Sequence, residues 1–240
     1  MLKLINCKLM LFLAIYCCSG NEKLEASPDK LCENETSYLH YSDPEVGSVF
    51  ESAMENRNCA DEFIYEVGAY KLTKLGKACY NDDMNEILEL LKSGACLYYC
   101  LTDNIYEYDL LYTGFVFNKF EIIKMLINYE VYDNIDQIYD ENATTPLVLA
   151  SKINDEKIAI ELAKKMIKKG ANVNGIRETG VNYTNYPIIF AVKNNNIKLV
   201  ELFISYGVDI YVTDHEGYTP LQWSENFGTP EMVKILSSAK

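Results

Sequence analysis

Apolar residues recur three and four positions apart in short blocks separated by polar turns. One block carries Ile87, Leu90 and Leu91, another Ile122, Met125 and Leu126, and another Leu199, Leu202 and Phe203. Each set falls on one face of a helix. Gly94, Gly170 and Gly207 stand where helices end and a left-handed backbone is needed. Thr145-Pro146 and Thr219-Pro220 mark helix starts, because proline costs little in the first turn and its ring presets the backbone angle. Ala78, Gly114, Ala150 and Ala191 are small at matching points and allow two helices to approach closely. Further upstream, Val46, Val49, Phe50 and Met54 line one side of a helix over 44–58, and 60–70 also reads as helical. Residues 44–68 are therefore expected to form a helical N-terminal cap.

The blocks repeat. Asp214-His215-Glu216-Gly217-Tyr218-Thr219-Pro220-Leu221 is one opening, and Tyr186-Pro187-Ile188-Ile189-Phe190-Ala191 stands at the same point one period earlier. Gly207-Val208-Asp209 closes that earlier copy. Thr145-Pro146-Leu147-Val148-Leu149-Ala150, closing at Gly170-Ala171-Asn172, is a longer copy. Weaker copies start at Leu110 and Lys74, and both lack the Thr-Pro pair. The D-x-x-G-x-T-P-L opening and the G-A-D-like closing resemble the ankyrin repeat. That resemblance implies an all-α ankyrin-repeat solenoid over 69–240, with about five helix-turn-helix repeats joined by short hairpin-like loops. The repeats are expected to begin near residues 69, 105, 141, 182 and 214. A helix pair leaves apolar surface that only a neighbouring pair can cover, so such an array is stable as a stack.

The start of the chain has a different layout. Lys3 and Lys8 precede the apolar run Leu9–Tyr16, and Cys17-Cys18-Ser19-Gly20 follows. This is the arrangement of an export signal, and the run is shorter than the roughly 20 residues needed to span a bilayer. Residues 1–18 are expected to be a signal peptide resembling that of a bacterial lipoprotein, with Cys18 as the lipidated residue. Cleavage after Gly20, releasing a secreted protein, is the alternative. Polar residues 19–43, with Pro28, read as a flexible tether.

The net charge is -13, and loss of Lys3 and Lys8 with the signal takes it to -15. That balance argues against nucleic acid, whose phosphates call for clustered Lys and Arg. An exported chain permits disulfides, and Cys32 with Cys59 and Cys96 with Cys100 are reasonable pairs that spacing alone does not fix. Neither zinc-ligand spacing nor an EF-hand pattern is present, the latter despite Asp133, Asp136, Asp140 and Glu141. Phosphate-loop and nucleophile-elbow motifs are missing too. No metal, cofactor or catalytic residue is expected, and the chain is not expected to be an enzyme.

Ankyrin proteins bind other proteins through loop tips and the open side of their first helices. Carried over by position, that implies contact residues Tyr80, Tyr106, Tyr108, Glu141, Asn142, Tyr183, Asn185, Lys193, His215, Glu216, Tyr218 and Phe227. Tyrosine recurs among them, and it offers rigid area with a polar tip. The expected function is a monomeric, non-catalytic protein-interaction scaffold, exported or anchored in the envelope, with membrane contact only through the N-terminal lipid. A periplasmic immunity or inhibitor protein, whose acidic surface would suit a basic target, is the alternative.

Overall fold

The computed structural model describes residues 43–56, 61–129, 131–132, 134–176 and 184–239. The expected signal peptide, Cys18 and nearly all of the expected tether lie outside the described residues. So do Cys32, Cys59, Asp133 and Tyr183.

A single helix, α1 (Pro44–Glu55), is followed by five consecutive helix pairs among the described residues. These are α2 (Lys74–Tyr80) with α3 (Met84–Lys92), α4 (Leu110–Val116) with α5 (Phe120–Asn128), α6 (Pro146–Ser151) with α7 (Glu156–Lys168), α8 (Pro187–Lys193) with α9 (Ile197–Ser205), and α10 (Pro220–Phe227) with α11 (Pro230–Ser238). First helices pack on first helices along the series, α2 on α4, α4 on α6, α6 on α8 and α8 on α10. Second helices pack on second helices in the same order, with α5 on α7, α7 on α9 and α9 on α11. The apolar sets legible in the sequence face this core: Ile87, Ile122, Leu126, Leu199 and Phe203 are fully buried.

Local chemistry fixes where each helix starts. Thr73, Asp109, Thr145 and Thr219 cap first helices by accepting the backbone N–H three residues on. Asp83, Asp155, Asn196 and Thr229 do the same for second helices. Such side-chain caps satisfy donors that the first turn leaves unpaired. Asp82, Asn118 and Asn195 end first helices with φ of +61°, +55° and +51°. Asp and Asn tolerate this left-handed region better than other side chains. The second helices end at Gly94, Gly170 and Gly207, with φ of +90°, +95° and +75°, as the sequence predicts.

The architecture is largely helical, but it is not all-α. Strands β1 (Tyr65–Val67), β2 (Tyr70–Leu72), β3 (Leu101–Thr102) and β4 (Glu107–Tyr108) form one antiparallel sheet in that order. Within the helical cap expected over 44–68, the described residues are helical over Pro44–Glu55 and extended over Tyr65–Val67. Residues 65–72 form a hairpin, with Gly68 at φ +61° in its turn. Tyr65, Val67 and Tyr70 suit a strand better than a helix, and the turn glycine separates the two arms. The sheet has a small core of its own, where Leu72, Leu101 and Tyr108 are covered by Val67, Tyr70, Tyr112, Val116, Phe117 and Tyr139. One glycine holds the sheet against the helices. A β-carbon at Gly76 would sit 2.0 Å from the carbonyl oxygen of Cys100, so only glycine fits there.

The cysteine pairing also differs from expectation. Cys96 is disulfide-bonded, whereas Cys100 and Cys79 are free and buried. The expected Cys96–Cys100 pair is therefore incorrect, and the partner sulfur of Cys96 lies outside the described residues. The Cys100 thiol instead donates to the carbonyls of Cys96 and Leu97, each at 3.4 Å. Burial pushes the Cys79 thiol up to about 12 and that of Cys100 well above the usual range, so both stay protonated and inert.

Candidate interaction surface

The loops before the first helices are built on aspartates. Asp103 accepts the backbone N–H groups of Ile105 and Tyr106, at 2.9 and 2.8 Å. Asp140 accepts those of Asn142 and Thr144, and Asp214 accepts those of Glu216 and Tyr218. An Asp side chain that binds its own loop two to four residues on makes a compact turn. These turns push the residues between them outward. Ile105, Tyr106, Glu141, His215 and Glu216 are all exposed at the tips. The backbone hydrogen bond from Tyr106 is the main cause holding the Asp103 carboxyl below its usual range.

Beside the tips, the ends of the first helices form an adjoining face. Tyr80 and Phe227 are exposed on it, the latter at 63%. Phe227 packs edge-on to Tyr218 at 6.3 Å and against Trp223 at 5.4 Å, which holds its ring outward. Lys77 lies 4.5 Å from the Tyr80 ring, and Tyr80 meets Phe117 edge-on at 4.9 Å. Asn142 and Asn185 come together because Asn185 N donates to the Asn142 carbonyl at 2.8 Å. Lys193 reaches Asp214 at 2.8 Å, and the aspartate carboxyl is held low against the opposing effect of burial. Asn142, Asn185, Lys193 and His215 then line one cavity of about 230 Å³ between the last three pairs.

One expected contact residue is placed differently. Tyr108 is only 6% exposed and stacks on Tyr112 at 4.0 Å, within the core of the sheet. It is a structural residue, and its expected role at a loop tip is corrected. Strand pairing with Leu101 turns its ring inward, and the loop reading of 105–108 could not show that. Three side-chain contacts escaped the sequence reading. Tyr112 is half-buried beside Tyr108 and Tyr139. Lys152 rests on the Phe190 ring at 4.5 Å. Asp109 is buried and accepts hydrogen bonds from Gln137 and from the Tyr139 hydroxyl, the latter at 3.2 Å. Burial pushes the Asp109 carboxyl up to about 6 despite these donors.

Among the described residues, no group of three or more His, Cys, Asp or Glu is placed to hold a metal. No helix there is long and apolar enough to cross a membrane. A cleft of about 670 Å³ opens among Met54, Leu126, Ile135, Asp136 and Lys169. Its aspartate is engaged in a loop contact, accepting the backbone N–H of Asn172 at 2.9 Å.

Comparison with known proteins agrees with this geometry. The family model of ankyrin repeats, three copies, matches residues 159–240. An ankyrin repeat protein of fowlpox virus is 25% identical over 135 residues, covering 56% of this chain and 37% of its own length. A second from the same virus is 31% identical over 100 residues, covering 42% and 15%. One from Rickettsia bellii is 28% identical over 72 residues, covering 30% and 40%. This chain thus spans 40% or less of the length of each. The chain is similar to ankyrin-repeat proteins, with the matched repeats at 159–240.

Proposed function

We propose that the chain is a non-catalytic scaffold that binds another protein through its loop tips and the adjoining ends of its first helices. The observation that carries this reading is the set of exposed aromatics Tyr80, Tyr106 and Phe227, held on aspartate-braced turns and capped helices. Aromatic side chains held rigidly by their neighbours lose little entropy when they bind, and they anchor many interfaces. Glu141, Asn142, Asn185, Lys193, His215 and Glu216 supply the polar rim. The reading extends to all five helix pairs, including those ahead of the matched repeats.

Export, with Cys18 as a lipid anchor, is part of the proposal and rests on the order of charged, apolar and small residues in 1–20. Intact mass of the protein from its native source tests it: a diacyl or triacyl group on Cys18 is expected, and an unprocessed Met1 would contradict it. Capture of partners by the full chain tests binding. Tyr106→Ala with Phe227→Ala should reduce capture of the specific partner about a hundredfold, since two anchors at roughly 1–2 kcal/mol each are lost. Undiminished capture would contradict the assignment of the face.

A further inference from the structure

The 230 Å³ cavity holds two lysines with opposite electrostatic situations. Lys193, at the end of α8, is neutralised by Asp214 at 2.8 Å. Lys152 stands at the equivalent place after α6, and among the described residues its ammonium has no carboxylate within ion-pair distance. The sequence shows why. The residue five positions ahead of the helix cap is Asp214 before Thr219 and Asp140 before Thr145, but Val181 before Tyr186. Lys124 is the contrasting case in the second helices, since it pairs with both Glu121 and Glu161 at 2.9 Å.

Lys152 is an exposed residue at the cavity mouth, but its ammonium lies over the Phe190 ring at 4.5 Å. Desolvation there pulls its pKa below the usual lysine range, with Asp140 opposing only in part. Asp140 already gives one oxygen to two backbone N–H groups in its own turn. A partly desolvated ammonium without an acid is unfavourable, and the ring offsets only some of that cost. A carboxylate entering the cavity would complete the pair in a setting where charge-assisted hydrogen bonds are strong. The volume is below the roughly 300 Å³ at which small-molecule pockets begin, and it suits one side chain.

We propose that this cavity receives an Asp or Glu side chain of the bound partner, with Lys152 as its counter-charge and Phe190 as its floor. This deepens the proposed function and rests on it. It also runs against the whole-chain charge of -13, which by itself favours basic partners.

Panning a displayed random peptide library on the full chain, on Lys152→Met and on Lys152→Arg tests the proposal. Methionine keeps an apolar stem over Phe190, and arginine keeps the charge. The full chain should enrich Asp- or Glu-containing peptides about tenfold over Lys152→Met, the size of one charge-assisted contact. Lys152→Arg should retain the enrichment. Peptides rich in Lys and Arg, or the same residue preference on Lys152→Met, would overturn the acidic site. The scaffold reading would survive that result if the peptides still lost binding on Phe227→Ala. Absence of any binder to the full chain would overturn the face as a peptide site, and this proposal with it.

Discussion

The first two helix pairs and the last three reach the same arrangement by different chemistry. In the last three, proline opens each first helix and the cap is Thr145, Tyr186 or Thr219. In the first two, no proline is present, and Thr73 and Asp109 cap helices that begin at Lys74 and Leu110. The first two pairs also carry the sheet, the Gly76–Cys100 close approach and the buried Asp109 cluster. Among the described residues the sheet has no counterpart in the last pairs. The family model of ankyrin repeats matches only 159–240. The stack tolerates loss of the Thr-Pro opening where other contacts fix the same geometry.

If the two regions depend on different contacts, they should fail separately. Phe203→Ala removes a fully buried ring from the last pairs and should cost about 4 kcal/mol. Hydrogen exchange should show lost protection spreading from α8–α11 while α2–α4 stay protected. Uniform loss would mean a single cooperative unit. Gly76→Ala should have the converse effect, because its new methyl group meets the Cys100 carbonyl. A loss of about 3 kcal/mol, centred on the sheet and α2, is expected in urea unfolding followed by exchange.

Asp109 gives the first region a pH dependence opposite in sign to that of Asp214 in the last, whose carboxyl is held low. Its folded pKa of about 6 lies above the roughly 3.9 of an unfolded aspartate. Between those values the folded state holds the proton that the unfolded state releases. This group's contribution to stability therefore falls as pH rises from about 4 to about 6, and is level outside that window. Asp109→Asn keeps an acceptor for the Tyr112 N–H and should remove a change of about 3 kcal/mol across that window. Comparing melts of the two proteins at pH 4 and pH 7 isolates the effect from the general charge of the chain. An unchanged difference would contradict the buried assignment. Gly207→Val should have the smallest effect, roughly 1 kcal/mol, because only the left-handed φ of +75° is strained and the space around it is open. An unaltered melting temperature would contradict that backbone geometry.

The contrast also explains what could be read from the sequence. The helix pairs were legible because Ile87, Ile122 and Phe203 recur at helical spacing and Gly94 and Gly207 punctuate them. The helix expected over 60–70 was wrong because strands of two or three residues have too short a pattern to compete with a helical one. Tyr108 was assigned to the surface because a loop reading cannot show strand pairing with Leu101. The tips at Tyr106 and His215 followed from register alone. The bare ammonium of Lys152 did not, since it depends on an acid missing from another loop and on a ring in the next helix pair.

The central claim is that partners dock on the loop tips and first-helix ends. A photo-crosslinking residue placed at Phe227 or Tyr106, and separately at exposed Glu201 on the second-helix side, tests this most directly. The account predicts that the specific partner crosslinks from Phe227 and Tyr106 and not from Glu201. Crosslinking from Glu201 with none from the other two would contradict it.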